Sequence, residues 1–259
     1  MAGFFADAIA AAVPWQLAVA AAATFVGGFM RGFVGFGGAL ISILVVSLLI
    51  GPRAAVAIAA ISGIPAMFQL LPAAIKHSER NFVLPFAIAT LAAAPLGTLV
   101  LVSLDQALMK MAIATFVLLM VAMLWRGWSL SAGGTTGTVA AGAISGFIQG
   151  SAGIGGPPAV TVALSRPGTA QQQRANTIGA VSGLNHCAMG PLWYFGLFTP
   201  QVVLFACVMT PVYSLGTALG QRYFAKGGQR YFRGAALILL AVIGAITLTI
   251  AARDYLTTA

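Results

Sequence analysis

Charge is scarce in this sequence, and acidic charge scarcest. Of 259 residues, 7% are Asp, Glu, Lys or Arg, against a hydrophobic share of 60% and a mean hydropathy of +0.98. Soluble domains carry about 25% charged residues, so a soluble globular fold is excluded and a polytopic membrane protein is indicated. The four acids, Asp7, Glu79, Asp105 and Asp254, all fall in tails or between apolar runs. No carboxylate pair can therefore do acid–base work at membrane depth, and no Gly-x-Ser-x-Gly elbow occurs, which weighs against an intramembrane enzyme. The two cysteines, Cys187 and Cys207, form no Cys-x-x-Cys pair, and His77 and His186 stand 109 positions apart. That spacing offers no metal cluster, so the cysteines read as small core residues and neither metal nor cofactor is expected. Alternating ten-residue strands are missing as well, so the fold class is all-α rather than a β-barrel. The N-terminus carries no Lys or Arg before Arg31 and lacks the basic region of a secretory leader.

What is abundant is continuous apolar sequence punctuated by glycine. Residues 1–12 read as a short tail or surface helix, with Pro14 and Trp15 at an interfacial helix start. Apolar runs follow at about 14–33, 39–50, 54–75, 82–104 and 107–125. After a Gly/Ser/Thr-rich stretch come runs at about 138–150, 157–165, 172–195, 200–221 and 232–252. The organisation is a first repeat over 1–128, a linker over 129–137 and a second repeat over 138–259. There are about 8–10 hydrophobic segments. The runs 39–50 and 157–165 are well below the roughly 20 residues needed to span and read as broken or re-entrant helices.

One stretch occurs twice. Gly28-Phe29-Met30-Arg31-Gly32-Phe33-Val34-Gly35-Phe36-Gly37-Gly38 returns 118 positions later as Gly146-Phe147-Ile148-Gln149-Gly150-Ser151-Ala152-Gly153-Ile154-Gly155-Gly156. All five glycines coincide. The correspondence extends to Ala60-Ile61-Ser62-Gly63 with Ala180-Val181-Ser182-Gly183, and to Leu96-Gly97-Thr98 with Leu215-Gly216-Thr217. Each copy of the motif reads as a helix tip breaking into a tight turn. Helices broken at equivalent positions of two repeats point to a transporter with a midplane site. Backbone leaves helical geometry inside a membrane only where it is buried or lines a polar cavity, and the freed N–H groups there favour an anion. Close helix packing through Gly-x-x-x-Gly is a second reading of the same glycines.

The net charge of +9 reads as topology-setting loop charge, not as a nucleic-acid surface. Under five segments per half, an odd number, the second half is inverted. Basic residues 76, 80, 126, 166, 174, 222, 226, 230 and 233 then lie inside, and 53, 110 and 253 outside. Arg31 stands apart, within an apolar run. It either binds an oxyanion through its planar fork or snorkels to the interface. The candidate substrate site is Arg31, Gly35, Gly37 and Gly38 from the first motif with Gln149, Ser151, Gly153, Gly155 and Gly156 from the second. Asn176 and His186 join them from the polar stretch that follows, where Asn185 also lies. They either line the path or bridge neighbouring helices and the interface. Ser42, Ser62, Gln69 and Ser182 carry a weaker signal of the same kind.

Gly-Phe-Gly-Gly at 35–38 and Gly-x-Gly-Gly-Pro-Pro at 153–158 resemble the paired motifs of the TauE/SafE sulfite exporters, also called the toluene-sulfonate uptake permease family. The resemblance runs over nearly the whole chain. It implies a multi-pass bacterial inner-membrane transporter of small sulfur-containing or organic anions such as sulfite, sulfoacetate or sulfonates. Its partners are then a small anion and the lipid bilayer. An anion channel or an uptake permease on the same fold is the alternative, and assembly into a homo-oligomer is left open.

Overall fold

The computed structural model describes residues 14–34, 36–126 and 134–224, with 241–242, 245–246, 248–250 and 252–253 beyond them. The tail 1–12, Gly35, the basic positions 226, 230 and 233, and most of the run 232–252 lie outside the described residues. Among the described residues regular structure is helical throughout. The order is α1 (Pro14–Val34), α2 (Gly38–Ile50), α3 (Pro52–Ser62), α4 (Ile64–His77), α5 (Arg80–Ser103), α6 (Gln106–Trp125), α7 (Gly134–Ala152), α8 (Gly156–Ser165), α9 (Ala170–Tyr194) and α10 (Pro200–Phe224). Among the described residues five stretches are long and apolar enough to cross a membrane: Trp15–Phe33, Pro52–Pro72, Arg80–Ser103, Gln106–Met123 and Pro200–Tyr223. This is an all-α polytopic membrane protein.

Glycine and proline set the boundaries. Gly37 (φ 85°) precedes α2 and Gly51 (φ 91°) separates it from Pro52, the first residue of α3. The expected single run at 54–75 is two helices meeting at Gly63. Pro65 in the first turn of α4 has no N–H to continue the ladder. Helix α7 begins at Gly134, four residues inside the stretch read as linker. At about 1.5 Å per residue, α2 (13 residues) and α8 (10 residues) reach about 20 and 15 Å, short of a ~30 Å hydrocarbon core. Helix α2 is apolar all round and buried, with Ile43 and Leu44 wholly enclosed, as a helix without a polar face must be.

The most extensive packing joins the halves crosswise: α5 lies against α7, and α1 against α10. Both interfaces are backbone-to-backbone. A Cβ on Gly146 or Gly150 would fall on the carbonyl oxygens of Thr90 or Ala94, and one on Gly97 on that of Phe147. Likewise Gly28 and Gly32 meet the carbonyls of Tyr213 and Thr217, and Gly216 and Gly220 those of Phe25 and Phe29. Small residues allow this approach where lipid offers no hydrophobic drive for association.

The ends of α5 mark two faces of the molecule. Glu79, just before its first turn, is bonded to Arg166 and Asn176. At its far end Arg53 donates to the carbonyls of Leu101 (3.3 Å), Val102 (2.5 Å) and Leu104 (3.2 Å), satisfying the open end of the helix. The 24 residues between put these faces about 36 Å apart. Helix α10 starts beside Thr199, which shares a cavity wall with Arg53. It therefore begins at the face where α5 ends.

Candidate functional site

The two broken helix tips meet around one cavity of about 40 Å³, several times the ~10–15 Å³ that one water needs. Its polar lining includes Arg31, Ser42, Ser62, Gln149, Asn185 and Tyr213, and Gly37, Gly153 and Gly156 bring backbone to the wall. Arg31, in the last turn of α1, is 6% exposed. Its Nη2 is enclosed without a hydrogen-bond partner, and among the described residues it has no ion-pair partner. The hydroxyl of Ser62 is enclosed and unpartnered too.

Gln149 stands at the position matching Arg31 but is tied into its own turn. The Gly155 N–H donates to its Oε1 (3.0 Å), and its Nε2 donates to Asn185 Oδ1 (3.4 Å). Asn185 reaches the site because α9 passes the α3–α4 break: its Nδ2 sits where a Cβ of Gly63 would be. The Tyr213 hydroxyl fills the corresponding space beside Gly38. The two turns are not copies in detail. Gly37 takes a positive φ (85°), whereas its counterpart under the 118-residue shift, Gly155, has φ −65°.

Of the sequence candidates, Arg31, Gly37, Gln149, Gly153 and Gly156 line this cavity. Gly38 and Gly155 are buried next to it, and Gly35 lies outside the described residues. Ser151 is buried but donates within its own helix to the carbonyl of Ile148 (3.3 Å). His186 is exposed, its Nδ1 2.9 Å from the Ser182 carbonyl oxygen. Asn176, on α9, is wholly buried beside the start of α5. It accepts from the Glu79 N–H (2.7 Å) and donates to Oε1 (2.9 Å). There Arg166 donates through Nε (3.1 Å) and Nη2 (2.7 Å) to Glu79 Oε2, its guanidinium 5.1 Å from the Phe82 ring centre. The Arg166 bond holds the Glu79 carboxyl below its ordinary range. Partial burial opposes that, and the Asn176 bond adds to it. Asn185, read from the sequence with Asn176 and His186 as a path residue, does line the cavity, whereas Thr24 and Tyr213 are polar cavity residues that the sequence reading omits. Asn185 carried a signal, as an amide beside an apolar run. Tyr213 carried none, since nothing in its own segment separates it from interfacial tyrosines.

The arrangement offers an enclosed cation, amide and hydroxyl groups and glycine turns to something small and anionic. Searches of curated proteins and of solved structures return no match. One family profile, Sulfite exporter TauE/SafE, matches residues 20–247. With most of its length matched, the chain belongs to the TauE/SafE family of membrane transporters.

Proposed function

We propose that the protein exports small sulfur-containing or organic anions, sulfite, sulfoacetate or sulfonate-like, through the cavity between the two glycine turns. The observation that carries this reading is Arg31. A guanidinium enclosed with one nitrogen unpartnered and, among the described residues, no carboxylate beside it costs several kcal/mol. An oxyanion in the cavity removes that cost through charge-assisted hydrogen bonds. Asn185 stands nine residues along α9 from Asn176, about 14 Å, which is half the hydrocarbon thickness and supports a midplane site.

The repeats are inverted in this reading, supported by the opposite courses of α5 and α10. The face bearing Lys76, Arg80, Arg166 and Arg174 is cytoplasmic by its basic residues, in a bacterial inner membrane. Flux that saturates and shows counterflow distinguishes a carrier from a channel. In proteoliposomes, sulfite, thiosulfate, sulfoacetate and taurine are compared as substrates. Arg31→Lys keeps the charge without the fork and weakens apparent affinity less than Arg31→Gln. Unaltered affinity in Arg31→Gln overturns the site.

A further inference from the structure

Two features divide the faces of the molecule. On one side, cavities run in series from the site. The Arg31 cavity shares Val46 and Ile58 with a neighbour of about 90 Å³, and that neighbour shares Ile50, Gln201 and Phe205 with one of about 240 Å³ beside Arg53, Gln106 and Thr199. The space widens towards the Arg53 face. On the other side, the first half is fastened to the second by Glu79, Arg166 and Asn176, with Arg166 over Phe82.

The glycine interfaces add a third observation. Gly146 lies against Thr90, and Gly150 against Ala94. If α1 and α10 copied that pairing under the repeat offsets of 118 and 119, Gly28 would lie against Met209 and Gly32 against Tyr213. They lie instead against Tyr213 and Thr217. The same interface is thus used in two registers four residues apart, about 6 Å or one helical turn. Each register places a small residue against a carbonyl, so both are allowed packings. One-turn slides of this kind are an established form of two-state transition.

We propose that the structure holds the site open to the Arg53 face and shut at the Glu79–Arg166 pair, and that it opens to the opposite face when the two glycine interfaces exchange registers and the pair parts. Exchange under the pseudo-twofold relation converts one open face into the other, so the inference rests on the inverted-repeat reading above. Glu79 and Arg166 are positioning residues here. They stand on different halves and line none of these three cavities.

The test reads accessibility, not transport. Ser62→Cys is placed in a Cys187→Ser, Cys207→Ser background in oriented proteoliposomes, and a membrane-impermeant thiol reagent is added from either face. Thr199→Cys reports the Arg53 face. With the pair intact, Ser62→Cys reacts from the face that labels Thr199→Cys. Arg166→Gln raises its reaction from the Glu79 face on the order of fivefold, the scale of a part-exposed ion pair. The reversed pair Glu79→Arg with Arg166→Glu restores the original ratio and excludes misfolding as the cause. Labelling from the Glu79 face with the pair intact, labelling from neither face, or no change in Arg166→Gln overturns the proposal. The anion panel is run on the same liposomes. A gate that responds without anion flux leaves this inference standing and removes the substrate reading.

Discussion

The Gly155 N–H donates to the side-chain carbonyl of Gln149 across 3.0 Å. An arginine has no acceptor, so Arg31 cannot hold its own turn in this way. One motif spends its polar side chain on the turn, and the other leaves it facing the cavity.

Substitution at Gln149 therefore separates fold from charge. Gln149→Ala strands a buried N–H and lowers stability by about 1–3 kcal/mol, read as a lower unfolding temperature in detergent. Gln149→Glu keeps the acceptor but sets a carboxylate in the cavity with Arg31. It retains the fold and loses anion flux.

The glycines divide into those that pack and those that leave space. Gly97→Ala puts a methyl on the Phe147 carbonyl oxygen and costs at least about 1–3 kcal/mol, because two backbones must part. Gly156→Ala meets nothing within 4 Å and keeps the unfolding temperature. Comparing the two melting curves checks the assignment.

Inversion makes a labelling prediction. Ser78→Cys stands beside Glu79, and Thr199→Cys beside the Arg53 cavity. They react with an impermeant reagent from opposite faces of the membrane. Reaction from one face for both removes the inverted topology.

The pH response of the Glu79 pair has a fixed sign. Its carboxyl is lowered in the folded protein, so the contribution is present above the ordinary carboxylate pKa and is lost as pH falls through the folded value. Arg166 and Asn176 are the groups bonded to it. The ratio of Ser62→Cys labelling from the Glu79 face to that from the Arg53 face, in which the thiol's own ionisation cancels, is accordingly flat from pH 8 to 5 and rises only in more acidic solution.

Export of an anion from an inside-negative cell is downhill by about 2.3 kcal/mol per charge per 100 mV, and among the described residues no carboxylate lines the site cavity. An imposed potential, negative inside, accelerates efflux at equal pH. His186, exposed and bonded to its own helix, lies off the cavity, so His186→Ala leaves this response intact. A response to pH gradient alone, lost in His186→Ala, reverses the assignment.

Sequence carried the class, the helix breaks and the short α2 and α8, because composition and glycine placement are local signals. It also singled out Arg31, since a cation in an apolar run is conspicuous without any partner. It put Asn176 at the substrate site because an amide's segment does not say what it bonds. Its partner Glu79 stands 97 positions earlier, on the other half. Glu79 and Arg166 read as solvated loop charges for the same reason. Tyr213 became a cavity residue only through the packing of α10 on α1.

Arg31 and Gln149 occupy matched places yet cannot be exchanged for two of either. A chain built from two first halves would set two guanidiniums about one small cavity, where like charges repel at short range. Two second halves would leave it with no cation at all. Only a chain that joins two unlike motifs sets a single guanidinium at this cavity.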